Sequence, residues 1–505
     1  MCRLKRHLPR VGCDSDQWYE LRWNFLLYMS TRGEGSLAIS PASPPARRLV
    51  DLRSPPGLPL FGNFHQLLKF TELHKHLENW EAELGDVFTI RMLSKQILVT
   101  SDPKLADIAL HERPEVFRRI STIETVADEM ELNGLFSVEG TAWSRQRNLI
   151  LHALGPSQLP EFFPTLQKIT ERLRVRWQKI AESVGVTDVV EDLTRYTVDV
   201  TASLSFGQDV NTLEHEEDAV QRHLALIFPK LTSRIFVPPY WHYMKLPSDR
   251  RLDRSLAEIK RHVQQLIDNA RADLQAQGNV PKNLLQVMLK AAAEPESGIT
   301  DKDVSANVLT LLLAGEDTTA HALAWTLFFL SQRPDLRAVL QAEASKLLGD
   351  ATIAPDYETT SQLALFDGAA FEALRFKPVT PLIGLEANQD FVLGDIFVPA
   401  GTQVFLCSRP AMMDDRYFKN AKEFDPGRWS RRSDSFASRQ AFTQFGGGPR
   451  VCPGRSLAIR EIRMVLSMLC RNFSFELAGD PSKVREIFSF TMKPSSVPLH
   501  LSMLH

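Results

Sequence analysis

Ten residues near the C-terminus constrain this chain more than any others: Phe445-Gly446-Gly447-Gly448-Pro449-Arg450-Val451-Cys452-Pro453-Gly454. Three consecutive glycines allow backbone dihedrals closed to other residues and let a flat group approach the main chain. An apolar, basic stretch of helical period begins directly after Gly454. A cysteine just ahead of a helix N-terminus can be held as a thiolate, because the free amide N–H groups and the helix dipole stabilise negative sulfur. A thiolate is the form of cysteine that binds a metal. Taken alone, a Gly-Gly-Gly run is more readily a glycine-rich turn beside a buried cysteine.

The bulk numbers narrow the function classes. With 505 residues, 44% of them hydrophobic, the chain can bury a large core, and its net charge of -2 offers no basic field for nucleic acid. The five cysteines, Cys2, Cys13, Cys407, Cys452 and Cys470, are scattered and form no CxxC pair, which argues against a disulfide framework or a zinc site and for a reducing compartment. No run reaches the roughly 18 to 20 apolar residues that span a bilayer. The best N-terminal candidate, 23–29, is short and contains Asn24. The expectation is a cytoplasmic, soluble monomer with membrane contact at most peripheral. Basic residues in 1–10 hint at organelle targeting, but Asp14, Asp16 and Glu20 follow too soon for a transit segment of the usual kind.

Residues 1–53 read as a poorly ordered extension, and Ser54-Pro55-Pro56-Gly57-Leu58-Pro59 marks the entry to the folded body. Short β-branched runs at 87–90 and 96–100 predict a hairpin, and helical periodicity then dominates from about 103 to 380. Further strands are expected at 391–393, 396–398 and 404–406, punctuated by Gly394 and Pro399-Ala400-Gly401. With no repeat and no break in composition, 54–505 reads as one mainly α (α+β) domain.

Three further patterns carry chemistry. Ala314-Gly315-Glu316-Asp317-Thr318-Thr319 lies midway along an apolar helix expected over 304–330, where acids and β-branched alcohols are locally unfavourable. Ala314 and Thr318 are four apart and share a face, on which Ala314 and Gly315 leave room for a planar cofactor. A solvated helical face is the simpler alternative. Glu372 and Arg375 stand three apart on a helix, which alone describes an ordinary surface ion pair, and Phe424-Asp425-Pro426-Gly427-Arg428-Trp429 adds a second arginine. Trp143 and Arg147 lie one helical turn apart, as they would on any amphipathic helix.

Together these segments resemble the cytochrome P-450 superfamily, in its own motif order, over about 54–505. The resemblance implies a large helical body with small sheets, and haem b between the central helix and the helix of the cysteine loop. Cys452 is then the axial ligand of the haem iron, donating electron density that favours O–O cleavage. Phe445 packs beside the sulfur, Gly454 closes the loop, and Trp143, Arg147 and Arg450 reach the haem propionates. Asp317 and Thr318 become an acid and alcohol pair relaying protons, and Glu372, Arg375 and Arg428 a structural triad. One departure stands out: the family often has another propionate-binding arginine where this chain carries Leu385.

By the same resemblance, residues of 120–135, 228–243, 311–314, 379–383 and 488–492 bound a distal pocket for a lipophilic molecule. The implied reaction is O2-dependent hydroxylation or epoxidation, serving secondary metabolism or lipid and xenobiotic oxidation. Its NAD(P)H-derived electrons are expected from a separate ferredoxin or flavoprotein reductase. Arg455, Arg460 and Arg463 are candidates for docking that partner, or simply a solvated last helix. Peroxygenase or isomerase chemistry on the same scaffold, and a silent ligand-binding protein, are the competing functions.

Overall fold

The computed structural model describes residues 46–504, apart from 156–157, 184, 216–233, 235–246, 277 and 431–435. The organising element is the 30-residue helix Asp301–Leu330. At 1.5 Å per residue it is about 45 Å long and crosses the whole body. Its start is specified locally: Thr300 Oγ1 accepts from Asp303 N while Asp303 Oδ2 accepts from Thr300 N at 2.8 Å, a reciprocal cap. Leu309, Leu312, Leu323, Trp325 and Leu327 are buried on its various faces. A helix that is apolar all round belongs inside a large core. Val189–Phe206 packs along it, and Ala364–Phe376 and Arg455–Asn472 pack against its second half.

Strands surround this helical mass. The largest sheet has five, in the spatial order Val87–Met92, Lys95–Thr100, Gln403–Cys407, Leu382–Ala387, Phe117–Arg119. The first two form the expected hairpin, with Val87 opposite Thr100. Gln403–Cys407 joins it in parallel, an arrangement that requires a long crossover. Phe391–Leu393 and Ile396–Val398 pair around Gly394, whose φ of 63° fits the left-handed turn between them. The helical reading of 103–380 passed over Phe117–Arg119 and Val186–Asp188, three-residue strands too short to show a period of two.

The folded body begins earlier than the proline-rich stretch suggests. Arg47–Arg48 pairs in parallel with Ile396 and Phe397, Arg47 Nε bonds Asp395 Oδ2 at 2.8 Å, and Leu49 and Leu52 are buried. The rest of the expected extension, 1–45, lies outside the described residues. Among the described residues no helix is long and apolar enough to cross a membrane.

Candidate active site

The glycine-rich loop is built for a sharp return. Gly446 and Gly448 have φ of 73° and 60°, and Cys452 N donates to Phe445 O at 2.8 Å, closing the loop on itself. A Cβ on Gly448 would stand 2.3 Å from Leu110 O, so that position admits only glycine against the helix Pro103–His111. Phe445 stacks edge-on to Phe371 and carries the Arg455 guanidinium over its ring at 5.3 Å.

Cys452 is exposed at its surface and closely surrounded by protein at longer range. That enclosure raises its thiol pKa, opposed by the N–H groups of Gly454 and Arg455 and by the Arg147 and Arg455 charges. Burial therefore asks for a cation at the sulfur before the thiolate becomes the stable form.

Trp143 and Arg147 lie on Gly140–Ala153, both buried, with Arg147 Nη2 donating to Val451 O at 2.7 Å. Arg450 lies 4.6 Å over the Trp143 ring, donates to Val138 O at 2.9 Å, and pairs with Glu139. Two further arginines converge here that the sequence reading did not select. Arg113 is 3% exposed, and Arg119 stacks 3.6 Å over Phe136 while giving its Nε–H to Phe136 O at 2.5 Å.

Burial, with the neighbouring arginines, depresses the basicity of Arg113, to about 10, and drives Arg119 well below the usual guanidinium value. Burial lowers Arg147 and Arg450 too. Glu139 is the carboxylate acting on Arg113, Arg119 and Arg450. Nε of Arg147, Nε and Nη1 of Arg450, and Nε and Nη2 of Arg113 are buried without a hydrogen-bond partner. Buried donors and surplus positive charge are strongly unfavourable unless an anion completes them. The two carboxylates of a haem b fit that requirement, and a thiolate sulfur fits its iron.

The acid and alcohol pair lies in the middle of the central helix Asp301–Leu330. Ala314 is exposed and Thr318 half-exposed, as is expected of a shared face, and Thr318 Oγ1 donates to Ala314 O at 2.9 Å. The room at Gly315 is used differently from the sequence reading. A Cβ there would meet Thr201 Oγ1 at 2.4 Å, so the missing side chain lets Val189–Phe206 approach the helix rather than clearing space for a cofactor. Burial raises the Asp317 carboxyl pKa above the ordinary range, opposed by the charge of Lys493.

Glu372 and Arg375 form no surface pair: both side chains are 0% exposed. Arg375 Nη2 and Nε reach Glu372 at 2.7 and 3.0 Å, and Arg428 Nε reaches Glu372 Oε1 at 3.1 Å. Trp429 Nε1, unforeseen in the sequence, donates to the other oxygen at 2.9 Å. Arg375 also donates to the carbonyls of Met412, Ala421 and Glu423, so one ion cluster ties its helix to the segment before the cysteine loop.

Two of the three arginines expected to dock a partner are internal. Arg460 lies 4.0 Å over Tyr357 and bonds Ser361 Oγ at 3.1 Å, and Arg463 binds Asp367 through Nε at 2.8 Å and Nη2 at 2.7 Å. Both are 5% exposed, because their face of Arg455–Asn472 packs on Tyr357–Gln362 and Ala364–Phe376 instead of meeting solvent. Arg455 alone of the three stays half-exposed.

Of the segments expected to bound a pocket, 379–383 and 488–492 touch directly, and 120–135 and 488–492 have contacts at or beside their ends. The Gly134 position is so close to the central helix that a Cβ would meet Thr310 Oγ1 at 2.0 Å, Phe136 packs edge-on against Phe490 at 5.2 Å, and Met492 N donates to Val379 O at 2.8 Å. Of 228–243, all but Arg234 lies outside the described residues.

Comparison with known proteins agrees with this arrangement. The family model for cytochrome P450 matches residues 52–500. Cytochrome P450 72A15 of Arabidopsis thaliana is 27% identical over 68% of this chain and 68% of its own length. Cyclooctatin synthase of Streptomyces melanosporofaciens is 27% identical over 87% of this chain and 94% of its own. The 11-oxo-beta-amyrin 30-oxidase of Glycyrrhiza uralensis is 26% identical, with 74% of each chain covered. The cysteine loop at the head of the last helix, the buried guanidinium groups gathered beside it, and a family match across nearly the whole chain lead to one conclusion: the chain belongs to the cytochrome P450 family and is a haem-thiolate monooxygenase of lipophilic molecules, supplied with electrons by a redox partner.

Proposed function

We propose that Cys452 Sγ would hold the haem iron and that Trp143, Arg147, Arg450, Arg113 and Arg119 would hold the haem propionates. The observation that carries this reading is the set of buried, partnerless guanidinium N–H groups on Arg113, Arg147 and Arg450, gathered beside the cysteine loop. Arg119 takes the place left open by Leu385: the two residues are direct partners in antiparallel strands, so their side chains leave the same face of the sheet. When bound, the haem supplies iron that activates O2 for insertion of one oxygen atom into a C–H bond or across a double bond.

The protein's part is to position and to move protons. Thr318 Oγ1, anchored on Ala314 O, would be the side chain that delivers the protons the reaction consumes. Asp317, with its proton affinity raised by burial, refills that hydroxyl from the solvent side. Ala314 would admit the flat cofactor, the Gly446–Gly448 run turns the loop tightly against Leu110, Phe445 would shield the sulfur, Gly454 opens the last helix toward it, and Gly315 brings the neighbouring helix close. Glu372, Arg375 and Arg428 support the cysteine loop from behind.

The pocket-facing segments are apolar, which favours a lipophilic substrate with few polar anchors. The similarity to an 11-oxo-beta-amyrin 30-oxidase is in keeping with that. Electrons come, in this reading, from a ferredoxin or flavoprotein reductase, and the enzyme works as a cytoplasmic monomer. Buried, unpaired Cys407 and Cys470 suit a reducing compartment.

The test is the reduced carbon-monoxide difference spectrum of the purified holoenzyme beside Cys452→Ser. The parent should show the long-wavelength Soret band from which the family takes its name, and the variant should lose it. An unchanged band in the variant would remove Cys452 from the iron and overturn the assignment.

A further inference from the structure

Asp317 has a neighbour one helical turn along that no motif names. His321 Nε2 lies 3.7 Å from Asp317 Oδ1, beyond hydrogen-bond length but within electrostatic reach, and its side chain is 2% exposed. On the other side of the ring, Nδ1 is 3.3 Å from Thr491 Oγ1. Thr491 lies between the paired strands Glu486–Phe488 and Met492–Pro494, the hairpin that borders the pocket. One turn beyond His321, Trp325 Nε1 donates to Met492 O at 3.4 Å, so hairpin and helix are joined at successive turns.

The ring is neutral. Burial, reinforced by the charge of Lys493, pushes the His321 pKa down to about 3. A neutral imidazole has one N–H to place. If Nδ1 carried it, the lone pair of Nε2 would face the Asp317 carboxylate and repel it. With the Thr491 hydroxyl donating to Nδ1, the N–H is on Nε2 and faces Oδ1. The described charged groups that bear on the pair are Lys493, from the hairpin, and Asp317 itself.

We propose that His321 is the positioning residue for Asp317: held by Thr491, its Nε2–H directs the Asp317 carboxyl into the orientation from which it hands protons to Thr318. The inference rests on the proton-relay reading of Asp317 and Thr318. It makes the hairpin that borders the substrate part of proton delivery, since whatever shifts Thr491 shifts the ring and then the acid. A ring acting only as a staple between helix and hairpin would support stability without touching the fate of O2.

The experiment uses the holoenzyme with NADPH and a surrogate ferredoxin and ferredoxin reductase, recording hydrogen peroxide released per NADPH, its pH profile, and the effect of D2O. His321→Leu should keep the carbon-monoxide band and raise peroxide per NADPH about twofold or more, a small part of what positioned proton transfer contributes. It should also enlarge the D2O effect. His321→Gln, whose amide N–H reaches the place of Nε2, should restore both, and Thr491→Val should shift them in the same direction by less. In an Asp317→Asn background, His321→Leu should add nothing.

An unchanged peroxide ratio in His321→Leu, or an equal increment with and without Asp317, overturns the inference. If the leucine variant fails to load haem, His321→Gln and Thr491→Val decide on the same readouts. The relay reading has its own control: a parent without the thiolate band, or Thr318→Ala with unchanged coupling, sinks that reading whatever His321 does.

Discussion

Replacing Glu372 by alanine removes one carboxylate from the centre of a buried ion cluster. Glu372 accepts from Arg375 Nε and Nη2, Arg428 Nε, Trp429 Nε1 and the Asp425 amide, all between 2.7 and 3.1 Å. Arg375, fully buried, is left charged without its counter-ion. Breaking one side of such a pair costs about 3–5 kcal/mol. With an unfolding entropy near 2.1 cal/mol/K per residue over about 450 residues, or about 0.9 kcal/mol/K, the melting midpoint should fall by about 3–5 °C. Calorimetry of the purified protein reads the midpoint, and the haem Soret absorbance relative to protein reads occupancy, which should fall as well because the cluster braces the segment ahead of the cysteine loop. Glu372→Gln, keeping an acceptor, should lose less. A midpoint within about 1 °C of the parent, with full haem, would refute the claim that this cluster holds the loop.

Other perturbations test separate parts of the structure. Gly315→Ala pushes a methyl against Thr201 and should destabilise by about 1–3 kcal/mol in urea unfolding; Thr201→Ala should recover most of that, and additive effects would contradict the packing role. Arg460→Glu should lower the melting midpoint and haem yield while leaving electron delivery to the remaining folded enzyme unchanged, because the residue is internal; slowed reduction by the redox partner at normal stability would return it to a docking role. Glu486 is raised by burial but more strongly lowered by His74, Arg409 and Lys377, so its folded pKa lies below the unfolded one. Its stabilising contribution is present above about pH 4.5 and is lost as pH falls toward the folded value. The melting-point gap between parent and Glu486→Gln should therefore narrow from pH 6 to pH 4, and a widening gap would reverse the sign of this argument.

Much of the site was legible because its residues obey local constraints. Gly446 and Gly448 adopt left-handed dihedrals and Gly448 abuts Leu110, so their pattern shows in any sequence that makes this turn. Ala314 and Thr318 share a face because helical spacing alone puts them there, whereas Glu372 and Arg375 read locally as an ordinary surface pair and only the structure shows them buried. Arg113 and Arg119 carried no such signal. Arg119 comes beside Leu385 only because the strand Phe117–Arg119 is laid against Leu382–Ala387, far along the chain.

By itself, then, the sequence determined the helical body, the cysteine loop and the residue types able to hold and use a haem, since dihedral freedom, helical period and charge in an apolar setting are local properties. Tertiary structure alone decided which arginines are surface and which are not: Arg460 and Arg463 look like a solvated stripe until Tyr357–Gln362 and Ala364–Phe376 cover them. It decided that Gly315 makes room for Thr201, that Arg119 lies opposite Leu385, and that His321 stands between Thr491 and Asp317. The physical reason is common to all three. A side chain's burial, and with it its charge state and partners, is set by segments distant in sequence that only packing brings within a few ångströms.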